Sequence, residues 1–172
     1  MKLDFFKILT PLLAAGRPDG VDPLLYSLIK MGRATKKEKY FIDLDIDKER
    51  ARIEKAAVLV EGLRNRLGGD EYAAPDLTVA DMSLPGIYGP VPLRLYAHPS
   101  PRELIVFFHG GGWVIGSIAT HDAVARALAA RGGCVTISVN YRLAPEDPFP
   151  AAVEDAYAAV AWAAQEALTL NG

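Results

Sequence analysis

The sequence predicts an α/β protein, a mostly parallel sheet with flanking helices, preceded by a helical segment. Three observations carry that expectation. From Leu104 onward, apolar runs of strand length alternate with stretches of helical composition, the pattern of parallel βαβ units. Just upstream, two alternating runs separated by a proline- and glycine-containing turn look like the antiparallel start of the same sheet. Before them, residues 1 to about 72 read as helical. The division this implies is a helical segment over 1–72 and a sheet-forming part over 73–172.

In chain order, a first helix is expected up to Ala15, with Leu3, Phe6, Leu9 and Leu13 recurring at helical spacing. The same stretch faintly resembles a secretory signal, but Asp4 and Lys7 interrupt its apolar region, and the amphipathic helix is the preferred reading. A turn at Gly16-Arg17-Pro18-Asp19-Gly20 leads to a second helix around Leu24 to Met31. Lys36-Lys37-Glu38-Lys39 is most simply a solvated connection. A third helix is expected from Asp47 to Leu67, where Ile53, Ala57, Val60, Leu63 and Leu67 form one apolar stripe and Gly68-Gly69 stops the helix.

Leu77 to Leu84 and Pro90 to Ala97 read as two strands joined by Pro85-Gly86-Ile87-Tyr88-Gly89. In the second, Val91, Leu93, Leu95 and Ala97 alternate with Pro92, Arg94, Tyr96 and His98. Leu104 to Phe108 is uninterrupted and apolar, as for a parallel strand buried on both faces. A helix from about His121 to Ala130, ended by Gly132-Gly133, a strand at Val135 to Val139 and a helix beginning near Pro150 complete the alternation.

Composition narrows the function classes. Apolar residues make up 51% of the 172 and mean hydropathy is +0.12, high for a small domain and suited to a chain that expects further covering partners, although the alanines from Ala151 to Ala167 inflate the count. A formal charge of −2 gives no basic footprint, so nucleic acid is not an expected partner. No stretch reaches the roughly 18 apolar residues of a membrane span. Cys134 is the only cysteine; it excludes an internal disulfide and fits a reducing cytoplasm.

The chemistry concentrates in Phe107-Phe108-His109-Gly110-Gly111-Gly112-Trp113. A strand that ends in consecutive glycines brings bare backbone N–H groups to the sheet's carboxyl end, where ligands bind in open α/β sheets. Such donors stabilise the negative oxygen that develops in acyl transfer. Glycine lets a substrate approach the peptide plane and adopts the positive φ angles that turn N–H groups inward. Two phosphate-binding patterns fail on the same residues. G-x-G-x-x-G would need a glycine where Ile115 stands, and the P-loop pattern lacks its lysine between Gly116 and Ser117.

Downstream, Ser138-Val139-Asn140-Tyr141-Arg142-Leu143-Ala144-Pro145-Glu146 follows the second apolar strand, and Phe149-Pro150-Ala151-Ala152-Val153-Glu154-Asp155-Ala156-Tyr157 opens the last helix. With HGGGW and the stretch from Gly116 to Asp122, these motifs resemble the hormone-sensitive-lipase-like branch of the α/β-hydrolases, the bacterial esterases with an HGGG motif. The resemblance is strong from Leu77 to Trp162. Asn140 and Asp147 stand where the family more often has aspartate and histidine, neither of them a catalytic position.

The resemblance implies an α/β-hydrolase core preceded by a helical cap segment, a carboxylic-ester hydrolase activity without metal or cofactor, and a small-molecule ester as substrate. It implies that Gly110 and Gly111 supply oxyanion-hole N–H groups, that Gly112 permits the loop's bend, and that His109 fixes the loop. Trp113 would bind substrate, lining the acyl or alcohol pocket, or else pack under the cap. The family's nucleophile sits in G-x-S-x-G, with the acid and histidine after it. None of Ser27, Ser83, Ser100, Ser117 and Ser138 has that context, and His98, His109 and His121 all precede the position of a base. The 172 residues are therefore expected to be the N-terminal half of such a core, inactive alone. A complementary C-terminal half or a homo-oligomer would then be the partner, and the strand bearing the glycines would be left with an unpaired, aggregation-prone edge. The alternative is a catalytically dead module that binds acyl-like or aromatic ligands or pairs with a partner. Arg142 and Glu146 are expected to pair, with Asp155 as a support residue.

Overall fold

The computed structural model describes residues 45–67 and 76–170. In order these form helix α1 (Ile46–Leu67), strands β1 (Thr78–Gly86), β2 (Gly89–Ala97) and β3 (Leu104–Phe108), a 3₁₀ turn (Ala119–His121), helix α2 (Asp122–Gly132), strand β4 (Val135–Val139) and helix α3 (Ala151–Leu170). The two helices expected before residue 45, and the glycines expected to stop α1, lie outside the described residues.

The four strands make one mixed sheet in the order β1-β2-β4-β3. β1 and β2 form an antiparallel hairpin, β2 pairs antiparallel with β4, and β4 pairs parallel with β3. Among the described strands the parallel character is thus confined to the βαβ unit β3-α2-β4. The hairpin is tighter than the expected five-residue connection, since the strands stay paired to Gly86 and Gly89 with Ile87-Tyr88 between. Its prolines are tolerated because β1 is an edge strand and the β4 pairing begins only at Leu93, beyond Pro90 and Pro92.

Strand alternation divides the sheet into two faces. Leu93, Val135, Ile137 and Val139 face α3, which presents Ala159 and Ala163 to them; Leu104, Val106 and Phe108 pack against the same core. Small residues four apart let α3 lie close to the sheet. On the other face Tyr96 is fully buried against Ala125 and Ala129 of α2, with Phe107 beside them. The Tyr96 hydroxyl donates to Asp122 Oδ1 at 2.6 Å, and Arg94 and Arg126 close around the same carboxylate. α2 ends where Gly133 takes a left-handed φ of 61° and donates to Ala129 O.

One burial expectation fails. β3 is only partly buried at all five residues, whereas β4 is buried at every one. The reason is position: β3 is the edge of the described sheet, so one flank of an apolar strand has no neighbour there.

Candidate active site

Phe108 is the last residue of β3, and the chain leaves the sheet into the glycine loop with three successive carbonyls fixed. The Tyr141 hydroxyl donates to His109 O at 2.6 Å. His109 Nδ1 lies 3.0 Å from Gly110 O, which assigns the ring proton to Nδ1 as donor. Gly111 O accepts from Val114 N at 3.2 Å and Ile115 N at 3.1 Å. In a planar trans peptide the N–H points opposite to the carbonyl of the same unit. Fixing the carbonyls of 109, 110 and 111 therefore aims the N–H groups of Gly110, Gly111 and Gly112 away from those partners. Among the described residues, none of these three N–H groups makes a backbone hydrogen bond.

The loop requires glycine at specific places. Gly111 has φ +134, and a Cβ there would lie 1.8 Å from Ile115 O. Gly116 has φ +99, and its Cβ would lie 2.4 Å from Gly110 O and 2.6 Å from His109 Nδ1. The chain folds back on itself at these two residues, and only a missing side chain permits it. Trp113 also has positive φ, at 61°.

His109 is buried, stacked on the Tyr141 ring with centroids 4.2 Å apart. Burial pushes its imidazole below the ordinary value, the hydrogen bond to Gly110 opposes this, and the neighbouring His121 adds to the lowering. A neutral, enclosed ring engaged with its own loop has the geometry of a support. Its Nε2 is buried without a hydrogen-bond partner among the described residues.

The far end of the loop is held as firmly. Ser117 N donates to Thr120 Oγ1 at 2.8 Å, Thr120 N donates to Ser117 Oγ at 3.2 Å, and Ser117 Oγ donates to Glu54 Oε1 of α1 at 2.6 Å. The serine nearest the glycines is thus engaged in structure. Ile118 N donates to the Asn140 side-chain oxygen at 3.3 Å, the same acceptor role an aspartate at that position would fill. Ala144 N donates to Trp113 O at 2.8 Å, joining the loop to the turn after Tyr141.

Arg142 and Glu146 do not pair. Arg142 instead grips Asp155 on α3, with Nη2 2.8 Å from Oδ1 and its backbone N–H on Oδ2 at 2.9 Å, so Asp155 has the support role expected of it. Glu146 is taken by Arg50, whose Nη1 and Nη2 each lie 2.9 Å from a carboxylate oxygen. No local pattern points to Arg50 or Glu54, because their partners lie 94, 96, 64 and 63 residues away.

Trp113 is 64% exposed and its side chain borders an apolar cavity of about 360 Å³ with Phe149, Pro150 and Val153. Among the described residues there is no cluster of three or more His, Cys, Asp or Glu able to hold a metal ion, and no helix is long and apolar enough to cross a membrane.

Residues 105–172 match a family model described as the alpha/beta hydrolase fold. The carboxylic ester hydrolase LipN of Mycobacterium tuberculosis is 38% identical over 164 residues, which cover 91% of this chain and 41% of LipN. The carboxylesterase NlhH of the same organism is 45% identical over 85 residues, covering 48% of this chain and 27% of NlhH. Among solved structures, the Pyrobaculum calidifontis esterase superposes with a TM-score of 0.67 at 38% identity, covering 82% of this chain and 44% of that one. The chain therefore spans less than half the length of the relatives it matches.

Proposed function

From a chain that belongs to the α/β-hydrolase superfamily, in its hormone-sensitive-lipase-like HGGG branch, and matches its relatives over their N-terminal part, we propose the oxyanion-hole half of a carboxylic-ester hydrolase. The observation that supports it most is the set of three fixed carbonyls, which leaves consecutive glycine N–H groups free and commonly constrained.

In such a hydrolase a serine attacks a small-molecule ester, a histidine carries the proton, and the tetrahedral oxygen is held by N–H donors, with no metal or cofactor. Gly110 and Gly111 supply two donors here, and the residue after the serine supplies the third. Gly112 provides the bend, His109 holds the Gly110 carbonyl, and Trp113 borders the bound ester. The 172 residues contain no G-x-S-x-G, so by themselves they do not turn over esters or take a fluorophosphonate label. A reducing cytoplasm suits the single, buried Cys134.

The apolar cavity beside Trp113 favours a second reading, a module that binds acyl-like or aromatic ligands without turnover. A chimera separates the two. Residues 1–172 are joined to the part of the P. calidifontis esterase that follows the matched region, and hydrolysis of p-nitrophenyl butyrate is measured. Turnover by the chimera, absent from the 172 residues alone, is the expected result. Ester binding by a folded chimera that never turns over would favour the second reading.

A further inference from the structure

Arg50 stands in the second turn of α1 and spends four of its five guanidinium N–H donors on the loop and its neighbouring turn. Nε donates to Val114 O at 2.9 Å, Nη2 donates to Ala144 O at 3.0 Å, and the two terminal nitrogens share Glu146. One helical turn later, Glu54 accepts from Ser117 Oγ. Residues four apart share a helix face, so one face of α1 holds both ends of the segment that follows the glycines.

We propose that Arg50, assisted by Glu54, is the positioning residue of the glycine loop, acting through Val114 and Gly111 on the direction of the glycine N–H groups. The inference rests on the oxyanion-hole assignment above. Its physical path is short. Arg50 fixes the Val114 carbonyl, Val114 N–H bonds Gly111 O, and the Gly111 carbonyl fixes one of the two peptide planes that meet at the Gly111 Cα, the other being the plane that carries the Gly111 N–H. On the other side Arg50 fixes Ala144 O, while Ala144 N–H bonds Trp113 O. The guanidinium thus closes a ring of contacts around Trp113-Val114.

The ion pair is not what this geometry is for. The Glu146 side chain is 56% exposed, and exposed pairs contribute little. Both carbonyl contacts are partly buried and need the rigid fork of an arginine; an ammonium on a flexible stem cannot reach both with the same geometry.

Two readouts test this. In the 172-residue chain, amide hydrogen exchange is followed for Arg50→Met, Arg50→Lys and Glu146→Gln. Arg50→Met is expected to speed exchange at Val114 and Ile115 about tenfold while β4 and α3 amides keep their rates, a local opening. Arg50→Lys should reproduce at least about threefold of that effect, and it carries the test if the methionine variant does not fold. Glu146→Gln should leave the loop amides within about twofold of the parent. In the active chimera, Arg50→Met should lower kcat about tenfold with KM within about twofold, as misplacement of a preorganised group does. Unchanged loop exchange in both Arg50 variants, or a Glu146→Gln effect equal to that of Arg50→Met, would overturn the proposal. A folded chimera that is inactive with its loop intact would count against the oxyanion-hole assignment itself, and the exchange rates would still decide whether Arg50 positions the loop.

Discussion

Alanine substitution at three consecutive glycines should give three different outcomes. Gly110 is outside the left-handed region, and a Cβ there would come no nearer than 3.9 Å, to His121 Nε2, so Gly110→Ala is expected to change stability by less than about 0.5 kcal/mol. Gly112 has open space but φ +61, and an L-residue there costs about 1 to 2 kcal/mol. Gly111 combines φ +134 with a Cβ 1.8 Å from Ile115 O, so the loop must move by more than an ångström. That motion breaks the hydrogen bonds from Val114 N and Ile115 N to Gly111 O. Backbone strain of about 1 to 3 kcal/mol and about 1 kcal/mol for each hydrogen bond give roughly 3 to 5 kcal/mol in total. Urea unfolding of the 172-residue chain, followed by tryptophan fluorescence and far-UV circular dichroism, measures all three if the m-value stays constant. A Gly111→Ala cost within about 1 kcal/mol of Gly110→Ala, against the strain expected, would refute the loop geometry.

Further consequences follow from the same contacts. Tyr141→Phe keeps the ring stacked on His109 but leaves the buried His109 carbonyl without its donor, so a loss of about 1 to 3 kcal/mol is expected in the same urea experiment. His109 has a lowered pKa in the folded state, so its contribution is present above the ordinary imidazole value of 6.5 and lost as pH falls through that value toward the folded one. Tm measured across that window should slope less in His109→Asn. At Asp122, burial raises the carboxyl pKa, but hydrogen bonds from Tyr96 and Arg126, with Arg94, outweigh it and leave the pKa below 3.8. Its contribution is therefore full above that value and lost as pH falls further, and Asp122→Asn should flatten the acid limb of the Tm profile. Ser117→Ala should leave fluorophosphonate labelling at zero in the 172-residue chain, since its hydroxyl is held by Glu54; labelling of the parent that the substitution abolishes would make Ser117 a nucleophile.

Local signals were legible and long-range ones were not. β3 and β4 fall on the residues the sequence pointed to, because short runs rich in β-branched and aromatic residues, too short for a helix, admit little else. α1 begins one residue before its expected start, at Ile46, and α2 runs two residues past Ala130, to Gly132. The hairpin turn is shorter than the prolines suggest, because their compatibility with an edge strand depends on strand order. The partial burial of β3 depends on strand order in the same way. At the site, HGGGW marks the glycines, but the partners that fix their carbonyls come from Tyr141 and the loop itself, with Arg50 reaching the neighbouring Val114 carbonyl. The expected Arg142 and Glu146 pair does not form, because Asp155 wins Arg142 by offering both carboxylate oxygens from the first turns of α3.

The most direct measurement removes one N–H, weakening only the Gly110 carbonyl that His109 Nδ1 bonds. Replacing Gly111 by glycolic acid in the chimera turns that backbone amide into an ester while keeping the residue free of a Cβ, and kcat for p-nitrophenyl butyrate is compared with the parent. If the Gly111 N–H holds the oxyanion, kcat falls by about 10²- to 10³-fold with KM nearly unchanged. A folded chimera whose kcat stays within about twofold would contradict the assignment of this loop as the oxyanion hole.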